Sequence, residues 1–145
     1  MKDSPRKEIL NEIAHAIGEI ELPHPVRVGI DGLSASGKTV FADELAGVLQ
    51  EEGKKVVRAG LDGFHNPPEI RHRQGPMSVE GYVEDSFDYA AVRENLLQPL
   101  GPGGDRRYAP EIFDHQKGEA KTVEFKEAPE DAFLLFEGVM LLRKE

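Results

Sequence analysis

The sequence predicts one three-layer α/β/α domain with a mainly parallel sheet. Three observations carry that expectation. The apolar run "VRVGI" leads through a glycine-rich loop into an amphipathic segment. A second β-branched run, "KVVRAGL", follows that segment. Further on, "AFLLFEG" is apolar without alternation, as expected of a strand covered on both faces of a parallel sheet.

Each element has its own signals. Residues 4–20 are expected to be a helix, opened by Ser4 as cap and Pro5 with its preset φ. Ile9, Ile13, Ala16, Ile17 and Ile20 recur at helical spacing, and the Ile9–Ile13–Ile17 stripe is read as core. Pro23 and Pro25 break the helix before the first strand. A second helix is expected from Lys38 to about Gln50. Phe41, Leu45, Val48 and Leu49 form its apolar face, and Gly53 stops it. Residues 63–86 read as a long irregular stretch rich in Pro, Gly, His and Arg, a kind of loop that is usually functional or disordered. "DYAAVRENLLQPL" reads as a helix capped by Asp88. "RRYAPEIFDH" and "KTVEFKEA" are two extended arms around "QKGE", hence a hairpin.

Composition narrows the function. The 145 residues suit one domain, and 39% hydrophobic residues suffice for a core. The net charge of −9 argues against a nucleic-acid scaffold and against an anionic membrane surface. A polyanionic ligand would need a local positive site within an acidic chain. With no cysteine there is no disulfide framework and no thiolate metal site, which fits a reducing cytosol. The apolar runs are too short to span a bilayer, and "MKDSPRKEIL" lacks the apolar core of a signal peptide. A cytoplasmic location is therefore expected.

Gly32, Gly37, Lys38 and Thr39 satisfy the pattern G-x-x-x-x-G-K-[ST], between a strand and a helix. Phosphate oxygens are gripped there by successive backbone N–H groups at a helix N-terminus. Glycine allows that close approach, Lys38 supplies charge to the outer phosphates, and the Thr39 hydroxyl suits Mg²⁺. The binding stretch is read as Gly32, Ser34, Ala35, Ser36, Gly37, Lys38, Thr39 and Val40. Ser34 and Ser36 either add hydroxyl contacts or are simply small loop residues. The domain then divides into an N-terminal helix 4–20, a nucleotide-binding core 26–62 and 132–145, and an acceptor side 63–126.

Two carboxylates follow the other strands, where open α/β sheets hold their ligands. Glu137 is either a surface acid or a second carboxylate of the metal shell; the phosphate loop favours the latter. Asp62 is either a turn aspartate before Gly63 or a general base toward an attacking hydroxyl, and a place near the metal is also open to it. The downstream loop favours the base, because Arg71, His72, Arg73 and Tyr82 suit a polar acceptor.

The ordered set "GIDGLSASGKT", "LDGFH", "GYVEDSFDYAAV", "LLQPLGPGGDRRY", "IFDH" and "LLFEGVML" resembles the uridine kinase / phosphoribulokinase family, over residues 26–143. It is most similar to bacterial uridine kinase-like members, with pantothenate kinases as further relations. The resemblance implies a P-loop NTPase fold and ATP-dependent phosphorylation of a hydroxyl, with Mg²⁺ as cofactor. It implies Lys38 and Thr39 on phosphates and metal, Asp62 as base, and Glu137 in the metal shell. It assigns the hairpin near 107–125 to an arm over the acceptor, with Phe113 as a contact and His115 either a contact or an exposed hairpin histidine. His65 and Arg71 fall on the acceptor side, where Arg71 is either a ligand or part of a solvated basic run. His65 stands where classical uridine kinases have tyrosine. The family also has an Arg-bearing lid beyond the point matching Glu145, so the expectation is a chain that is a fragment, truncated, or completed by a partner. Its first strand should then be open on one side.

The leading expectation is a kinase acting on a nucleoside, with pantothenate or a sugar phosphate as other acceptors. The alternative is an ATP-binding partner or regulatory module without transfer. A GTPase-like switch is disfavoured, since no Asn-Lys-x-Asp stretch is present. Homo-oligomerisation is left open.

Overall fold

A computed structural model describes residues 4–32, 37–114, 116–139 and 141. Three parallel strands form the centre: β1 (Val26–Asp31), β2 (Val56–Gly60) and β7 (Phe133–Gly138), in the order β1-β7-β2. β7 pairs in register with both neighbours, Val26 and Val56 lying opposite Phe133. Its apolar run is thus the middle strand of the three. Leu134 and Phe136 face one core and Leu135 the other, so the sheet is covered on both sides. Among the described residues β1 pairs only with β7, which leaves its other side open as expected.

Two helices cover the Leu135 face. Helix α1 (Pro5–Gly18) is capped by Ser4, whose hydroxyl accepts from the Lys7 amide at 3.2 Å. It packs on α2 (Lys38–Glu51), with Gly53 at φ +83° just past its end. The apolar stripe of α1 is displaced from the expected one. Ile9 is 55% exposed, whereas Leu10 and Ala14 are buried with Ile13 and Ile17 beside them. Helical spacing alone admits both stripes, and contact with α2 selects the second. Ile20 lies past the helix end and is exposed.

The other face is covered by the chain that follows β2. A 3₁₀ turn, Leu61–Phe64, buries Leu61 and Phe64. The stretch expected to be irregular contains two short helices, α3 (Pro68–Arg71) and α4 (Val79–Asp85). Ser78 caps α4 by accepting from Gly81 N at 3.0 Å, a signal hidden among the loop's polar residues. Asp88 caps α5 (Tyr89–Val92) as expected, accepting from Ala91 N at 2.9 Å. That helix widens into a π-helical turn, Arg93–Leu97, which carries buried Leu96.

The hairpin arms form as two short antiparallel ladders. β3 (Arg107–Tyr108) pairs with β6 (Lys126–Glu127), and β4 (Phe113–Asp114) with β5 (Glu119–Ala120). The turn between β4 and β5 closes with Gly118 at φ +70°. Among the described residues no helix is long and apolar enough to cross a membrane.

Candidate active site

The three central strands end on the same side, and each delivers one part of the site. After β1 the chain returns at Gly37, whose φ of +85° suits glycine, and α2 begins at Lys38. The Gly32 amide donates to the Gly138 carbonyl at 3.3 Å, which ties the start of the phosphate loop to the end of β7. After β2 the 3₁₀ turn carries Asp62. Glu137 is the penultimate residue of β7. Lys38, Thr39, Asp62 and Glu137 all line one cavity of about 420 Å³.

Glu137 is the best-defined group. Its Oε1 accepts from the Thr39 hydroxyl at 2.8 Å. The guanidinium of Arg58 stands 3.8 Å from the same oxygen. Arg58 is held in place by donating to the Leu135 carbonyl at 2.9 Å and to Asp43 Oδ1 at 3.2 Å. Register explains this group: Gly60 lies opposite Glu137, and period two puts Arg58 on the same face as Gly60. A side chain at Gly60 would meet Glu137 Oε1 at 3.1 Å, so the glycine leaves room for the carboxylate. Glu137 Oε2 is buried without a hydrogen-bond partner.

That orphaned oxygen and the Thr39 hydroxyl are hard donors, which fit Mg²⁺. Among the described residues no cluster of three or more His, Cys, Asp or Glu could hold a metal by itself. Mg²⁺ needs no such cluster, since it keeps several waters and binds through one or two carboxylates plus phosphate oxygens.

The cavity's other wall comes from 63–86. His65, Arg71, His72, Tyr82, Ser86 and Phe87 line it. His65 Nδ1 donates to the Asp62 carbonyl at 2.9 Å, and its ring lies 4.6 Å from that of Phe87. This links the Asp62 turn to the loop beyond it. The loop is anchored by Asp85, which is 1% exposed. Its carboxylate accepts from Arg73 and, at 2.7 Å, from Gln74. The Arg73 hydrogen bond, joined by that of Gln74, holds the Asp85 carboxyl below the usual carboxylate range. Asn66 donates to the Asp85 carbonyl at 3.0 Å, closing the loop at its base.

The expected site residues thus divide. Lys38, Thr39, Asp62, His65, Arg71, Tyr82 and Glu137 come together around one cavity. Phe113 does not line it; it is buried, with its ring 6.2 Å from His65. Val40 is exposed and lines a separate hollow with Gly37 and Lys38. Ser34, Ala35, Ser36 and His115 lie outside the described residues. Sequence reasoning missed Arg58 and Asp85. A lone arginine inside an apolar strand was the available signal for the first; for the second there was none.

No protein-family model matches the chain. A curated relative, uridine-cytidine kinase B of Dictyostelium discoideum, is 32% identical over 117 residues, which cover 81% of this chain. This is a chain of the uridine kinase-like P-loop kinase family. It spans 46% of that relative's length. Among solved structures, a possible uridine kinase from Bacillus stearothermophilus superposes with TM-score 0.80 at 24% identity, covering 95% of this chain and 73% of that one. A D-glycerate 3-kinase from Cryptococcus neoformans superposes with TM-score 0.61 at 19% identity, covering 94% and 52%. These two likenesses establish the α/β fold that the strand pattern predicts.

Proposed function

We propose that this chain carries the phosphate-binding and acceptor sides of an ATP-dependent small-molecule kinase. The observation that supports this best is the convergence of Lys38 and Thr39, Asp62 and Glu137, from three strand ends, on one cavity. Lys38 and the start of α2 would receive the β- and γ-phosphates. Thr39 and Glu137 would hold Mg²⁺, which when bound neutralises charge on the phosphate oxygens. Asp62 would accept the proton of an acceptor hydroxyl as its oxygen bonds to the γ-phosphorus and the bond to the bridging oxygen breaks, leaving ADP. The relative's name and the motif order favour a nucleoside as acceptor, while His65 and the basic loop depart from that pattern.

The test is phosphoryl transfer by the full chain across a panel of small hydroxyl compounds. Transfer should vanish in Lys38→Ala, and Asp62→Asn should lower turnover by roughly 10² or more while Mg-ATP still binds. Full turnover in Asp62→Asn would remove the base assignment. Mg-ATP binding with no transfer to any acceptor would make the chain a nucleotide-binding module instead.

A further inference from the structure

The run "RHR" holds two arginines that the fold treats differently. Arg73 is matched by the buried carboxylate of Asp85. Arg71 closes α3, is partly buried and lines the cavity beside His72. Its Nε is buried and has no hydrogen-bond partner. Among the described residues its guanidinium forms no ion pair. This happens on a chain with 27 acidic and 18 basic side chains, where carboxylates are in surplus.

A guanidinium cannot shed its proton at neutral pH. A partly buried one that faces a cavity unmatched costs stability unless a ligand completes it. Its planar fork of N–H donors fits a carboxylate or a phosphate bidentately. Neither nearby carboxylate answers Arg71. Glu137 engages Thr39 and Arg58 through Oε1, and its open Oε2 is assigned above to the metal, while Asp85, behind the wall, has both oxygens occupied by Arg73 and Gln74. Asp62 is reserved for the acceptor hydroxyl. ATP does not need Arg71, because Lys38 and the α2 N-terminus serve its phosphates.

We propose that the acceptor carries an anionic group, a carboxylate or a phosphate monoester, and that Arg71 receives it. The proposal rests on the kinase reading above and narrows its acceptor to a hydroxy acid or a sugar phosphate. A neutral nucleoside would leave the buried Nε unmatched.

The test is calorimetric titration of the full chain with its phosphate loop filled by Mg²⁺ and a non-hydrolysable ATP analogue. The probes are D-glycerate and pantothenate as hydroxy acids, ribose 5-phosphate as sugar phosphate, and uridine as neutral acceptor. At least one anionic probe should bind more tightly than uridine. Arg71→Gln should weaken that probe by about tenfold or more, and Arg71→Lys by less, with the analogue's affinity unchanged. Should Arg71→Gln fail to fold, Arg71→Lys carries the test, since it keeps the charge but loses the fork. Tighter binding of uridine than of every anionic probe overturns the proposal. So does anionic binding that stays within about twofold in the variants, or a loss that falls on the ATP analogue. The kinase reading fails separately, through absence of transfer with Arg71-dependent binding retained.

Discussion

At the residue scale, Glu137 is the strand-end acid that the proposed kinase reading offers to a metal. One oxygen is taken by Thr39 and approached by Arg58, and the other is buried with no partner. A buried acceptor left open on one side is costly, and a hard cation offsets that cost. Replacing the charge while keeping the shape isolates this role. Glu137→Gln is expected to raise the Mg²⁺ concentration needed for half-maximal thermal stabilisation by ATP, on the order of tenfold. Thermal shift at fixed ATP and varied Mg²⁺ checks it. An unchanged midpoint would return Glu137 to the role of a structural partner for Thr39 and Arg58. Glu137, like Asp62, was legible in the sequence because each follows an apolar run. Arg58 was visible as an arginine inside an apolar strand, but its contact with Glu137 depends on which strand lies beside which.

At the element scale, the wall formed by 63–86 gathers several side chains around one buried carboxylate. Asp85 closes α4 and gathers Arg73, Gln74 and, through its carbonyl, Asn66. Its folded-state pKa is lowered by these donors. A lowered carboxylate contributes stability above its unfolded pKa, about 4, and loses it as pH falls through the folded value. Asp85→Asn should therefore melt below the parent at pH 7, and the gap should narrow as pH drops below about 4. Melting curves across that range check the sign; a gap that widens toward acid would contradict the pairing. The short helices of this wall were read as irregular because each is brief and carries no apolar stripe. Its caps and its buried acid act only once the loop is folded back on Phe64, whose carbonyl accepts from Asp88 N at 2.7 Å.

At the scale of the whole molecule, β7 joins two cores. Leu134 and Phe136 enter one with α5 and the π-helical turn, and Leu135 enters the other with α1 and α2. Leu135 is fully buried, and it stands opposite Val28 and Arg58 on the neighbouring strands. Leu135→Ala is expected to cost about 2–5 kcal/mol of unfolding free energy, read from urea denaturation. A loss well below that range would mean the α1–α2 layer collapses onto the gap. The site depends on this strand, because the positions of Glu137 and Arg58 follow from its register.

The sequence by itself determined the α/β layering, the glycine-rich motif ahead of α2 and the two strand-end acids. Those features are written in local periodicity and in residue types that only one backbone geometry accepts. It also contained "RHR", in which Arg71 and Arg73 are equivalent by composition. Only the tertiary structure separated them, since the buried carboxylate that pairs Arg73 lies on a different helix. Charge matching is decided by neighbours in space, and among the described residues Arg71 faces a cavity rather than a carboxylate.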